Sequence, residues 1–292
     1  MFIPLFIVFS TFNHSFQTNP NSITNLFKLF FLYCTNFFFP LGGDLLSLVH
    51  RKLTKQLKES VAQFLVAGIV LGLEHLHAHS IMHRDLKTEN IVIDSRGYPK
   101  ICDFDNAKHA TRAWTSCGTP FFMAPETVLN KGHDQTCDYW SLGCILYELM
   151  TSKTPFEDQF GVLSIENQLR GKFYPVLTVQ GTTEHSSDIL HRLLTTDPQR
   201  RLGAKGGIDA IKKHSWFSCN RKFSWKNLEN RKIHSPLRNF IRGHDDIVKN
   251  FYLFSDQTIP FGLEDVDALS KNEYFNDDAA FNESLNGLLE LW

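Results

Sequence analysis

In the stretch His83-Arg84-Asp85-Leu86-Lys87-Thr88-Glu89-Asn90, an acid lies two residues past a His, a Lys two residues further and an Asn five residues past the acid. Thirteen residues after Asn90 come Asp103, Phe104 and Asp105. An acid with a Lys and an Asn, joined by a second acid from a separate segment, suits phosphoryl transfer, which rests on positioning and on charge neutralisation by a metal with hard oxygen ligands. In this reading Asp103 is the metal-holding acid.

Several elements must position these groups. Ile91-Val92-Ile93 and Lys100-Ile101-Cys102 are short β-branched runs separated by the turn-rich Asp94-Ser95-Arg96-Gly97-Tyr98-Pro99, so they read as a hairpin. It carries the octapeptide at one end and Asp103 at the other. Upstream, residues 44–51 read as a short helix after a glycine turn, and residues 60–77 as a longer one with Ser60 as N-cap. The longer helix repeats apolar residues at three- and four-residue steps, the pattern of a core-facing side. Residues 114–126, WTSCGTPFFMAPE, lack periodicity and suit an extended ordered loop. Residues 138–150 are apolar almost all round, which makes that helix central and buried. Further helices are expected at 161–169, 187–195 and 207–213. Strands nearly vanish after residue 102. The expected fold is therefore mostly α with a small β-hairpin, α+β overall.

The bulk composition permits this. A chain of 292 residues that is 42% hydrophobic and 21% charged can bury a substantial core. A net charge of -1 gives no global attraction to nucleic acid or to an anionic membrane. Cys34, Cys102, Cys117, Cys137, Cys144 and Cys219 are scattered without C-x-x-C or zinc spacing, which suits free thiols in a reducing, cytoplasmic setting. Residues 1–40 stand apart: they hold 11 of the 26 Phe, no Asp or Glu, and Lys28 as their one Lys or Arg. They lack the basic start and cleavage site of a signal peptide, and residues 26–39 fall short of the roughly 20 residues a membrane span needs. A membrane-associating segment and translated non-coding sequence both fit. From residue 245 acids outnumber bases and a solvated tail is the default, although Trp225, Phe240, Phe251, Tyr252, Phe254 and Phe261 suggest local packing.

From residue 41 to about 228 the chain resembles the large lobe of the eukaryotic protein kinases, carried by HRDLKTEN, CGTP, APE and DYWSLG in this order. Within that family it is similar to the basophilic Ser/Thr (AGC) branch, and residues 128–149 look most like the cGMP-dependent protein kinases. The resemblance implies residues 41–217 as a kinase large lobe and 218–292 as an AGC-kinase-like C-terminal tail. It implies ATP and Mg2+ as cofactors and protein or peptide substrates. It makes Asp85 the group that orients the attacking hydroxyl, Lys87 a positive charge at the transferred group, and Asn90 and Asp103 the metal holders. His83 and Phe104 resemble the packed pair aligning the two segments. Thr115 matches the activation-loop phosphosite, which an upstream kinase would modify and whose phosphate would pair with Arg84. Thr119 matches the residue that helps hold the catalytic Asp and Lys. Glu126 and Arg201 match a buried ion pair, and Asp138 the acid bracing the catalytic-loop backbone. Asp44, Glu89 and Glu148 match positions that contact Arg residues two and three places before the phosphoacceptor, which favours basic peptides.

The chain also departs from the family. A small lobe needs on the order of 60 residues, and residues 1–40 contain no Gly, hence no G-x-G-x-x-G, and no V-A-x-K. The small lobe is therefore expected to be absent or incomplete, and no room remains for cyclic-nucleotide-binding domains. Asp105 replaces the Gly of D-F-G, which implies a stiffer switch. Two main expectations follow: an ATP-dependent Ser/Thr kinase lobe acting on basic peptides, or a catalytically inactive truncated kinase serving as a protein-binding module. A membrane-tethered fragment depends wholly on residues 1–40.

Overall fold

The structure, a computed structural model, describes residues 44–47, 57–94, 96–174, 182–219 and 223–238. The expectations for residues 1–40, for residues 48–51 of the first helix and for Phe240, Phe251, Tyr252, Phe254 and Phe261 lie outside these residues.

After a short α1 (Leu45–Ser47), α2 (Glu59–Ala78) runs twenty residues and buries Phe64, Leu65, Ile69, Leu73 and Leu76. By length and composition it could cross a bilayer, yet most of it is inside the lobe. It begins one residue before the expected Ser60, and neither Ser60 nor Lys58, the actual N-cap, provides a side-chain cap. Long-range contacts take the cap's place: Glu59 Oε1 accepts from Trp216 Nε1 at 2.7 Å and Thr183 Oγ1 at 2.8 Å.

Three short strands and a fourth follow. β2 (Ile91–Ile93) and β3 (Pro99–Ile101) form the expected antiparallel hairpin, with Ile91 opposite Ile101. Asp94 Oδ1 shapes its turn by accepting the N–H groups of Arg96 and Tyr98, each at 2.9 Å. β1 (Ile81–Met82) pairs with β4 (Lys108–His109), the one short strand beyond residue 102 among the described residues, in keeping with the expectation that strands nearly vanish there. A two-residue pairing is too short to leave an alternation in sequence.

Helices make up the rest. After α3 (Pro125–Val128), α4 (Thr136–Thr151) is buried from Thr136 through Met150 and forms the axis of the lobe, packed against α2. Gly143 allows this packing, because a Cβ there would lie 2.9 Å from Leu194 and 3.0 Å from Leu193. α5 (Ile165–Arg170) is shorter than the expected 161–169: Asp158 Oδ1 holds the N–H groups of Phe160 and Val162 in a loop, and Ser164 caps the helix. α6 (Glu184–Leu193) starts earlier than residue 187, because Thr183 and Ser186 form a capping box. α7 (Gly207–Lys212), α8 (Ser215–Ser218) and α9 (Trp225–Glu229) complete the order.

Residues 223–238 show the local packing expected of Trp225, while the solvated-tail default from residue 245 lies outside the described residues. Ser224 caps α9, Leu228 and Leu237 are wholly buried, and Trp225 Nε1 donates to the Lys212 carbonyl at 3.1 Å. The segment then reaches the hairpin turn, where Arg231 pairs with Asp94 at 2.9 Å and lies over the Tyr98 ring. Ser235 Oγ donates to the Gly97 carbonyl at 2.7 Å, and Tyr98 Oη donates to the Ile233 carbonyl. Five described cysteines, Cys102, Cys117, Cys137, Cys144 and Cys219, are free thiols.

Candidate active site

The octapeptide runs from β1 to a 3-10 turn, Thr88–Asn90, that leads into β2. Its backbone is braced by Asp138 at the start of α4, which accepts from the N–H of His83 at 3.0 Å and of Arg84 at 2.9 Å. His77 Nε2 meets the same carboxylate at 2.8 Å. Burial alone would raise the pKa of this fully buried acid. The His77 hydrogen bond and the nearby His77 and His83 rings outweigh it, helped by the Arg84 N–H, and hold Asp138 below the usual carboxylate range.

Asp85 is anchored on one side. Its Oδ1 accepts from both Thr119 N at 2.9 Å and Thr119 Oγ1 at 2.8 Å. Its Oδ2 meets only a longer bond from Asn106 Nδ2, 3.2 Å, and Lys87 Nζ at 3.7 Å. Oδ2 is thus the oxygen with capacity left for an incoming hydroxyl. Lys87 Nζ donates to Thr119 Oγ1 at 2.8 Å, so one threonine hydroxyl links the Lys to the Asp. Asn90 Nδ2 donates to the Asp85 carbonyl at 2.8 Å, which leaves its Oδ1, a hard oxygen, for a cation.

Asp103 arrives from the end of β3. Cys102 N donates to the Asn90 carbonyl at 2.9 Å and His83 Nε2 lies 3.0 Å from the Cys102 carbonyl, so two bonds bring this segment onto the octapeptide. His83 and Phe104 pack edge to face, their centroids 5.0 Å apart. Asp103 itself takes the left-handed conformation, φ 61°, whereas Asp105 is not among the positive-φ residues and its side chain is exposed. The Gly-to-Asp departure therefore carries no left-handed strain in this conformation. Burial, followed by the charges of Asp103 and Asp44, pushes the Cys102 thiol up to about 12.

The loop over residues 114–119 crosses close above. Gly118, φ 111°, lets the chain pass so near that a Cβ would sit 2.6 Å from the Arg84 carbonyl. Thr115 is exposed and makes no hydrogen bond to Arg84. Arg84 spends Nε on the Asn106 carbonyl at 2.7 Å, while its buried Nη1 has no partner among the described residues. Beneath the loop, Arg201 grips Glu126 with two bonds of 2.6 and 2.8 Å and also donates to the carbonyls of Thr136 and Thr195.

Of the three acids expected at the substrate groove, Glu89 and Glu148 converge on Thr88. Thr88 Oγ1 lies 2.8 Å from Glu148 Oε2 and 3.2 Å from Glu89 Oε2. Asp44 forms a bridge opposite Val92 and gives both oxygens to Ser47, at 2.7 and 2.6 Å.

Sequence reasoning missed Asn106, His77 and Thr88. Asn106 follows Asp105 directly, and a search for amides near the second acid could have found it. His77 and Thr88 meet partners on α4 more than fifty residues away, which no local signal announces.

Comparison with known proteins adds the family. The protein kinase domain profile matches residues 33–217. Human cGMP-dependent protein kinase 2 is 38% identical over 210 residues, 70% of this chain and 27% of that protein. A cGMP-dependent protein kinase of Drosophila melanogaster, isozyme 2 forms cD5/T2, is 35% identical over 76% of this chain and 24% of its own length. The cAMP-dependent protein kinase catalytic subunit of Dictyostelium discoideum is 35% identical over 86% of this chain and 37% of that protein. The chain thus spans about a quarter of the length of the cGMP-dependent relatives.

Proposed function

The chain belongs to the protein kinase family, and from that premise we propose that it transfers the γ-phosphoryl group of ATP to Ser or Thr hydroxyls in peptides bearing Arg or Lys upstream of the acceptor. The observation that carries this reading is Asp85: Oδ1 is held by two bonds from Thr119 and Oδ2 is left for a substrate hydroxyl.

A protein kinase domain implies ATP and a divalent metal, typically Mg2+, and the donor set suits both. Asn90 Oδ1 and the Asp103 carboxylate are hard oxygen ligands held on adjoining segments by the Cys102–Asn90 hydrogen bond. Magnesium-ATP, when bound, supplies the phosphoryl group and neutralises its charge. The chain's own residues do the positioning. Asp85 Oδ2 orients the hydroxyl and takes its proton. Lys87, steered by Thr119 Oγ1, places positive charge where the transferred group becomes negative. Glu89 and Glu148 supply the carboxylates for an upstream Arg.

Incubation with magnesium-ATP and an Arg-rich peptide tests this, with Asp103→Ala as control. Phosphate should appear on Ser or Thr with the native chain and not with the variant. Equal, background-level signal from both would overturn the catalytic reading.

Regulation belongs to the same proposal. The unpartnered Arg84 Nη1 under the loop is a donor that a phosphate on Thr115 would satisfy, adding about two negative charges and ordering the loop. Active protein should carry phosphate on Thr115 by mass spectrometry. Full activity with Thr115 unmodified would refute it.

A further inference from the structure

We infer that Thr88 is a positioning residue for substrate choice: its buried hydroxyl sets the spacing of Glu148 and Glu89 so that the pair selects a guanidinium upstream of the phosphoacceptor. This rests on the basic-peptide reading above and deepens it.

Thr88 occupies a position that the H-R-D-x-x-x-x-N pattern leaves open, so the loop's chemistry does not demand it. Its side chain is wholly buried, and a buried hydroxyl requires a partner. The partner is not on its own segment: Oγ1 donates to Glu148 Oε2 on α4 at 2.8 Å, sixty positions along the chain. A hydroxyl has one proton to give, and here it goes to the shorter contact, a charge-assisted bond. Glu89 Oε2 lies 3.2 Å from the same oxygen, within reach of the hydroxyl as a second, longer contact.

The 3-10 turn explains how one residue serves both acids. Over Thr88–Asn90 it buries Thr88 toward α4, exposes Glu89 and buries Asn90 against the Asp85 carbonyl. The hydroxyl therefore ties the metal-holding and hydroxyl-orienting loop to the acid on α4. Two carboxylate oxygens gathered around one hydroxyl, at 2.8 and 3.2 Å, match the planar fork of an arginine better than the point charge of a lysine or a neutral amide. Without the hydroxyl, Glu148 loses a charge-assisted donor in a buried setting, and its distance from the loop that carries Glu89 is no longer set by that bond.

The test is the affinity of the full chain, by fluorescence anisotropy, for a labelled peptide with Arg two and three places before the acceptor and for the same peptide with Gln there. The readout is the ratio of the two affinities. Thr88→Val keeps the shape without the donor and should cut the Arg-over-Gln ratio about tenfold, the typical loss for a hydrogen bond to a charged group. Thr88→Ser should restore it to within about twofold. Should the Val variant not fold, Thr88→Ala carries the same expectation. Equal weakening of both peptides, or an unchanged ratio in the Val or Ala variant, would overturn the role of Thr88 and leave the basic-peptide reading standing. No Arg preference in the native chain would overturn the basic-peptide reading itself.

Discussion

Asp138 shows how single groups in this site depend on partners that neighbouring sequence does not reveal. A carboxylate with no exposed surface survives as an anion only because His77 and two backbone N–H groups converge on it. Its pKa is lower folded than unfolded, so the unfolded chain binds the extra proton. Its stabilising contribution is therefore complete above the unfolded value, at about pH 4, and drains away as pH falls through the folded value. Asp138→Asn should cost about 2–5 kcal/mol at neutral pH, because an amide presents N–H groups to donors. It should also flatten the dependence of urea stability on pH in the acid range. A variant with the native acid slope would show that Asp138 is not the group responsible. At this scale the legible residues were those whose role is contained in a short run: Asp85, Lys87 and Asn90 lie within six positions, and the structure brings them together. Asn106, His77 and the second use of Thr88 were illegible because each is defined by a contact across the fold rather than by its neighbours.

Segments, more than single side chains, decide whether the loop and the hairpin meet at the right distance. The loop over residues 114–119 passes over the octapeptide at Gly118, where backbone meets backbone and nothing can move aside. Gly118→Ala would add a methyl 2.6 Å from the Arg84 carbonyl and force a residue at φ 111° to carry a side chain. Backbone strain of this kind costs about 1–3 kcal/mol, and the displaced Thr119 would release Asp85 Oδ1. Phosphotransfer should fall on the order of 10²-fold, as misplacement of about 1 Å can produce. Gly161→Ala is the control, since Gly161 has φ 79° with nothing within 4 Å of a Cβ, so it shares the strain without the collision. Equal activity losses in the two variants would show that the close approach is irrelevant. The long buried helices and the hairpin were legible from periodicity and β-branched runs. The β1–β4 pair and the start of α2 were not: two-residue strands have no period, and Glu59 is fixed by Trp216 and Thr183 rather than by a cap.

Across the whole molecule, the site depends on a segment whose packing the sequence announced only at Trp225. Residues 223–238 cross the back of the lobe to the turn of the hairpin, and the same hairpin carries the octapeptide at one end and Asp103 at the other. Charge and polarity hid this, because the anchoring side chains, Arg231 and Ser235, are polar types that usually face water. Here Arg231 is largely buried between Asp94 and the Tyr98 ring, and Ser235 is buried against Gly97. Arg231→Ala removes an ion pair and a cation–π contact from this interface and takes from Asp94, itself buried, its ion-pair partner at 2.9 Å. The expected cost is about 2–4 kcal/mol. At about 2–4 °C per kcal/mol, that is a drop in Tm on the order of 10 °C for a domain of this size. Amide hydrogen exchange should quicken first at Gly97 and Tyr98, and phosphotransfer should weaken as Asp103 loses its fixed distance from Asn90. Unchanged Tm and unchanged exchange at the turn would mean that the segment merely rests on the lobe. Faster exchange at the turn with full activity would mean instead that β2 and β3 hold the two halves of the site without it.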